Sequence, residues 1–207
     1  MYSIRVLFWV LSINLQIKQT NVSASEHVIQ RKANIYTLFM TSRRNQAAGI
    51  SHDQSFLIFG GFTPLERLSL LSSTEIITEQ GGVSPGPEMP EANNYHRFAR
   101  VNATTSILTG GGNGHSRKTW FFNHISQQFQ PGPLLITGRF GHASATMQDH
   151  VTKENIVAVA GGVKVPGPGS PFDSTELLIN GESEWQHGKK LSNLNNMGWF
   201  AFSQVQN

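Results

Sequence analysis

A chain of 207 residues with 38% hydrophobic and 14% charged side chains has enough apolar material for a domain-sized core, and its composition excludes a disordered polymer. Its 16 Lys and Arg against 13 Asp and Glu leave a net charge of +3, scattered apart from Arg43-Arg44 and Lys189-Lys190, which reads as ordinary solvation and excludes a nucleic-acid-binding stripe. With no cysteine, a disulfide framework, a thiolate metal site and a thiol nucleophile are all excluded.

The N-terminus has Arg5, then the apolar run Val6 to Ile17, then polar residues ending in Val22-Ser-Ala24, with small or branched residues where a signal peptidase cleaves. The pattern predicts a secretory signal over 1–24 and a secreted protein, the alternative being a cytoplasmic one. At about a dozen residues the apolar run is short of the roughly 20 a spanning helix needs, so no membrane span is expected. The Asn102-Ala-Thr104 triplet is compatible with secretion. Residues 25–44 follow as an N-terminal segment.

Beyond it the chain repeats. An apolar run ends in a glycine doublet at Gly60-Gly61, Gly110-Gly111 and Gly161-Gly162, in steps of 50 and 51 residues. After each doublet comes a polar loop and then a second strand signal: Ser73-Thr-Glu-Ile-Ile77, Lys118-Thr-Trp-Phe-Phe122 and Ser174-Thr-Glu-Leu-Leu178. A bulky residue before a Gly/Pro-rich exit is third, at Val83, Phe129 and Trp185. Tyr95-His-Arg-Phe-Ala, Arg139-Phe-Gly-His-Ala and Met197-Gly-Trp-Phe-Ala then start new apolar strands. Four short strands per period, 20 glycines and no long amphipathic helical pattern predict an all-β chain.

A strand ending in Gly-Gly, a Thr-Glu strand, an aromatic before Gly-Pro and then Arg-Phe-Gly-His together resemble the kelch repeat, over roughly residues 45–207. The resemblance implies a kelch-type β-propeller of about three four-stranded blades (45–90, 91–135, 136–190) and a partial one (191–207), with 25–44 at the edge of a preceding blade. Only Trp185 supplies the tryptophan typical before the exit; Val83 and Phe129 depart from it. Stacked blades need a large side chain between sheets, for which Trp120, Phe129 and Trp185 are the candidates. The doublet glycines end strands where a Cβ would clash or forbid φ > 0, a structural role.

Catalytic signatures fail. Gly110-Gly-Gly-Asn-Gly114 has neither dinucleotide nor P-loop spacing, no His-Glu-x-x-His occurs, and the Gly-x-Ser-x-Gly elbow is absent. Glu75 and Glu176 recur at the repeat period, which suits an exposed strand edge or a loop-tying hydrogen bond better than catalysis, and His142 suits repeat structure. The copper oxidases with kelch-like blades use a tyrosine crosslinked to cysteine, which this chain lacks. No catalytic residue, cofactor or metal is expected.

The resemblance implies a binding platform whose rim loops take a protein or glycan partner. Candidate contacts are Arg67, Asn113, His115, Arg117 and Lys164 after the doublets, with Asn94 and Tyr95 between repeats; their basic character suits an acidic partner. Propellers close with about four to eight blades, so an arc of three is expected to be part of a longer product or to self-associate over its open faces. A substrate-recognition fragment of an intracellular ubiquitin-ligase adaptor is the alternative, and a secreted carbohydrate-active propeller enzyme a remote one.

Overall fold

The computed structural model describes residues 40–63, 69–78, 81–112, 117–163 and 172–192. The expected signal segment, residues 25–39, Arg67, Asn113, His115, Lys164 and everything after residue 192 lie outside the described residues.

Among the described residues the chain is all-β, with four antiparallel sheets and no helix. The first sheet is a meander of β1 (Ala48–His52), β2 (Ser55–Phe59), β5 (Thr74–Thr78) and β6 (Val83–Pro85), with the short hairpin β3 (Phe62–Thr63) and β4 (Ser69–Leu70) inserted after the first doublet. The second is β7 (Arg97–Arg100), β8 (Thr105–Thr109), β9 (Thr119–Asn123) and β10 (Gln128–Pro131). The third is β11 (Ala143–Gln148), β12 (Asn155–Ala160), β13 (Thr175–Ile179) and β14 (Gln186–His187). Each doublet follows the second strand of its sheet, and each Thr-Glu or Thr-Trp segment is the third.

Alternation along the strands explains why the sheets stack. Successive side chains of a strand face opposite sides, and in the second sheet both sides are apolar: Ile107 and Phe121 face one way, Leu108 and Phe122 the other. The first set joins Val157, Val159, Leu178 and Trp185 of the third sheet in one core. The second joins Leu57, Phe59 and Met89 of the first repeat in another, where Phe59 lies 4.4 Å from Phe98 and 5.3 Å from Phe122, ring centre to ring centre. Bulky side chains sit at these seams. Trp185 is buried between the second and third sheets and donates its indole N–H to Pro133 O at 3.0 Å. Phe129 and Trp120 are half-buried against the other core.

The first strands of the three meanders are neighbours, β1 packing on β7 and β7 on β11. Ahead of them the connecting segments run side by side: Tyr95 N–H donates to Gln46 O, and Gly141 N–H to Tyr95 O, both at 3.0 Å. Gln46, Tyr95 and Gly141 all have positive φ, near 55°, 55° and 63°, so the same turn recurs in each repeat. The first doublet glycines face these segments at close range. Gly60 (φ +58°) would place a Cβ 2.6 Å from Asn93 O, and Gly110 (φ +61°) would drive one onto Arg139 O. Any side chain there is both strained and obstructed.

Candidate interaction face

Two buried ion pairs hold the connecting segments at the glycine-doublet end. Glu75, on β5, accepts from the backbone N–H of Thr41 (2.8 Å) and Ser42 (3.2 Å) and pairs with Arg44 at 2.9 Å, both side chains about 1% exposed. Arg44 also donates to Gly60 O, Ser73 O and Ser73 Oγ. The arrangement returns in the third sheet: Glu176 accepts from Ile136 (2.7 Å) and Thr137 (3.0 Å), pairs with Arg139 at 2.6 Å, and Arg139 donates to Gly161 O, Ser174 O and Ser174 Oγ. Neither Glu75 nor Glu176 is on an exposed strand edge; both tie loops. Arg44 is likewise no solvated surface charge, because its guanidinium is enclosed by these acceptors.

Burial works against the charge on Glu75, but the Thr41 and Ser42 amides and the Arg44 guanidinium outweigh it and hold the carboxyl below its ordinary value. The second repeat solves the same problem without charge. Asn93 stands where Arg44 and Arg139 stand, donating to Gly110 O at 2.9 Å, and Trp120 is the second residue of the third strand where the others have Glu. Both charges are replaced together, as expected if each is tolerated in the interior only with its partner. The positional counterpart of Arg139 is therefore Asn93, two residues before the Tyr95 that motif alignment pairs with it.

Above this frame lie the candidate contact residues that the structure describes. Asn94 O accepts from Gly112 N–H at 2.9 Å, tying the connecting segment to the second doublet loop. Tyr95 is half-buried, its ring 5.6 Å from that of Phe140 in an edge-on contact. Arg117 is exposed, and its Nε donates to Leu135 O at 2.7 Å. Lys118 pairs with Glu91 beside it. Asn94, Tyr95 and Arg117 thus share one end of the sheets, together with the exposed Arg43; Arg67, Asn113, His115 and Lys164 lie outside the described residues. Arg44, Asn93 and Arg139, which position this end, went unread in the sequence. The signal available was the return of Ser-Thr-Glu after 101 residues, which marks a demand for a buried counter-ion as well as a strand.

His96, His124 and His142 are buried within and between the sheets. His96 and His142 are fully buried; His142 Nε2 lies 2.8 Å from Thr109 Oγ1. Burial, then the nearby Arg97 charge, pushes His96 down to about 3, and burial with Arg97, Arg139 and His96 pushes His142 well below its usual value. At the opposite end His124 stacks on His52 with ring centres 4.2 Å apart and meets Ser106 Oγ at 2.7 Å. Ser106 is fully buried, so this pair has no access to a substrate. Among the described residues no group of three or more His, Asp or Glu is placed to hold a metal ion, and no helix is long and apolar enough to cross a membrane. No protein-family model matches the chain, and neither does any curated protein.

Proposed function

We propose that this chain is an arc of a kelch-type β-propeller and acts as a secreted, non-enzymatic interaction module, taking a protein (or glycan) partner at the glycine-doublet end. The observation that carries the reading is the pinning of three successive connecting segments side by side at that end. Two buried Arg–Glu pairs and Asn93 each bind a doublet carbonyl there. All three doublet loops leave from this end, so the loops vary on a frame whose backbone is already ordered. Pre-ordering lowers the entropy lost on binding. Exposed Arg43 and Arg117 favour an acidic partner surface. In this reading the outer faces of the arc are covered by further repeats or by a second copy.

A photo-crosslinking side chain at Asn94 or Arg117, in the full chain added to intact cells, is expected to trap a discrete adduct. The same group at Met147 or Val151, exposed near the opposite end, is expected to trap none. Adducts confined to Met147 and Val151, or equal labelling at both ends, would overturn the assignment.

A further inference from the structure

At the end opposite the doublets, a pocket of about 280 Å³ opens between the second and third sheets. We infer that it is a binding site for a neutral sugar ring, lined by the amides of Asn102, Asn123, Gln128 and Gln130 over a floor containing Phe121.

Strand register builds the wall. Thr105, Asn123 and Gln128 are aligned across β8, β9 and β10, and Ile107, Phe121 and Gln130 form the next row on the same face. The face that is apolar at Ile107 therefore turns into amides and a hydroxyl toward the turn end and the β10 edge. The opposite wall is the Asn180-Gly181 turn of the third sheet. Gly181 has φ +73°, and a Cβ there would come within 2.9 Å of Val101 Cγ1, so a glycine at this point keeps the cleft from filling with side chain.

The donor set defines the ligand. No Asp, Glu, Lys or Arg lines the pocket, so nothing in it would select a charged molecule. Among the described residues the Gln128 and Gln130 amides have no hydrogen-bond partner. Asn102 and Asn123 spend Oδ1 on their own turns, at Thr104 and Thr105 and at Ile125 and Ser126, and keep Nδ2 uncommitted. The two glutamine amides both donate and accept and the two asparagines still donate, matching a ring of hydroxyls that do both, while Phe121 offers an apolar surface to the C–H face. Pockets for drug-sized ligands measure about 300–1,000 Å³; a smaller cleft suits a single ring. The sugar has two sources: a glycan on a partner, or one on this chain at Asn102, whose side chain lies at the pocket within Asn102-Ala-Thr104.

The test uses the full chain made without glycosylation, titrated with N-acetylglucosamine and with glucose, and read by saturation-transfer NMR. Transfer to at least one sugar is expected, with affinity falling tenfold or more in the Gln128→Ala/Gln130→Ala variant at unchanged melting temperature. No transfer at millimolar sugar, or undiminished binding by the variant, would overturn the site. Material from a secretory host separates the sources. If Asn102 carries a glycan and only Thr104→Ala, which removes the acceptor triplet and keeps the Asn102 amide, binds added sugar, the ligand is the chain's own; if the wild type binds added sugar there, the ligand comes from a partner. Because this pocket lies away from Asn94 and Arg117, its outcome is independent of the crosslinking result.

Discussion

Replacing Glu176 by Gln keeps the side-chain shape and removes the charge that faces Arg139, whose side chain is 0% exposed. Arg139 would retain Gly161 O, Ser174 O and Ser174 Oγ as acceptors, all neutral, so a buried guanidinium loses its only anionic partner among the described residues. Stripping one member from such a pair costs about 3–5 kcal/mol. Against a domain stability of about 5–15 kcal/mol this is a large fraction. With a urea dependence of about 1–3 kcal/mol per molar, the unfolding midpoint should fall by at least about 1 M. Arg139→Met should be similarly costly, since it leaves the Glu176 carboxylate buried with only the Ile136 and Thr137 amides. The double variant removes both charges and should cost less than the sum, with a coupling of about 0.5–3 kcal/mol. Urea titrations followed by circular dichroism give the cycle, and amide exchange at Ile136 and Thr137 gives a local readout. A Glu176→Gln cost under about 1 kcal/mol, or a strictly additive double variant, would refute the claim that the pair holds the connecting segment.

Trp185→Ala should cost about 3–5 kcal/mol, because it empties a site buried between two sheets. Trp185→Phe should lose roughly the hydrogen bond to Pro133 O, about 1 kcal/mol, plus a small packing loss; equal melting temperatures for the two variants would argue against the wedge. Acid should destabilise the fold early. In the unfolded chain histidines bind protons near pH 6.5, whereas the folded protein holds His96 down to about 3 and His124 down to about 4. Their stabilisation is thus fully present above about pH 6.5 and is lost as pH falls toward those values, about 2 kcal/mol each by pH 5. Glu75, held below its ordinary value, adds a further loss below about pH 4.5. Urea midpoints measured from about pH 7.5 to pH 4.5 should fall steadily below pH 6.5; a flat profile would show that the histidines are not buried neutral in solution.

What the amino-acid order determines unaided is local. Short apolar runs such as Ser106-Ile-Leu-Thr109 and the doublets after them specify strands and the sharp turns between them, because strand propensity and the steric cost of a Cβ act within a few residues. The return of these signals every 50 or so residues is enough to place four strands in each repeat. The tertiary structure decided which residues answer one another. Arg44 meets Glu75 across 31 residues and Arg139 meets Glu176 across 37, while Asn93 replaces the arginine in the second repeat without resembling it. No short-range pattern separates these arginines from solvated ones, since their burial depends on where the doublet carbonyls and the Ser-Thr-Glu strand are carried by the fold. The amide-lined pocket is of the same kind. Asn102 and Asn180 are ordinary turn residues in sequence, and they share a cleft only because apolar faces on the second and third sheets pack together and bring their turns to one end.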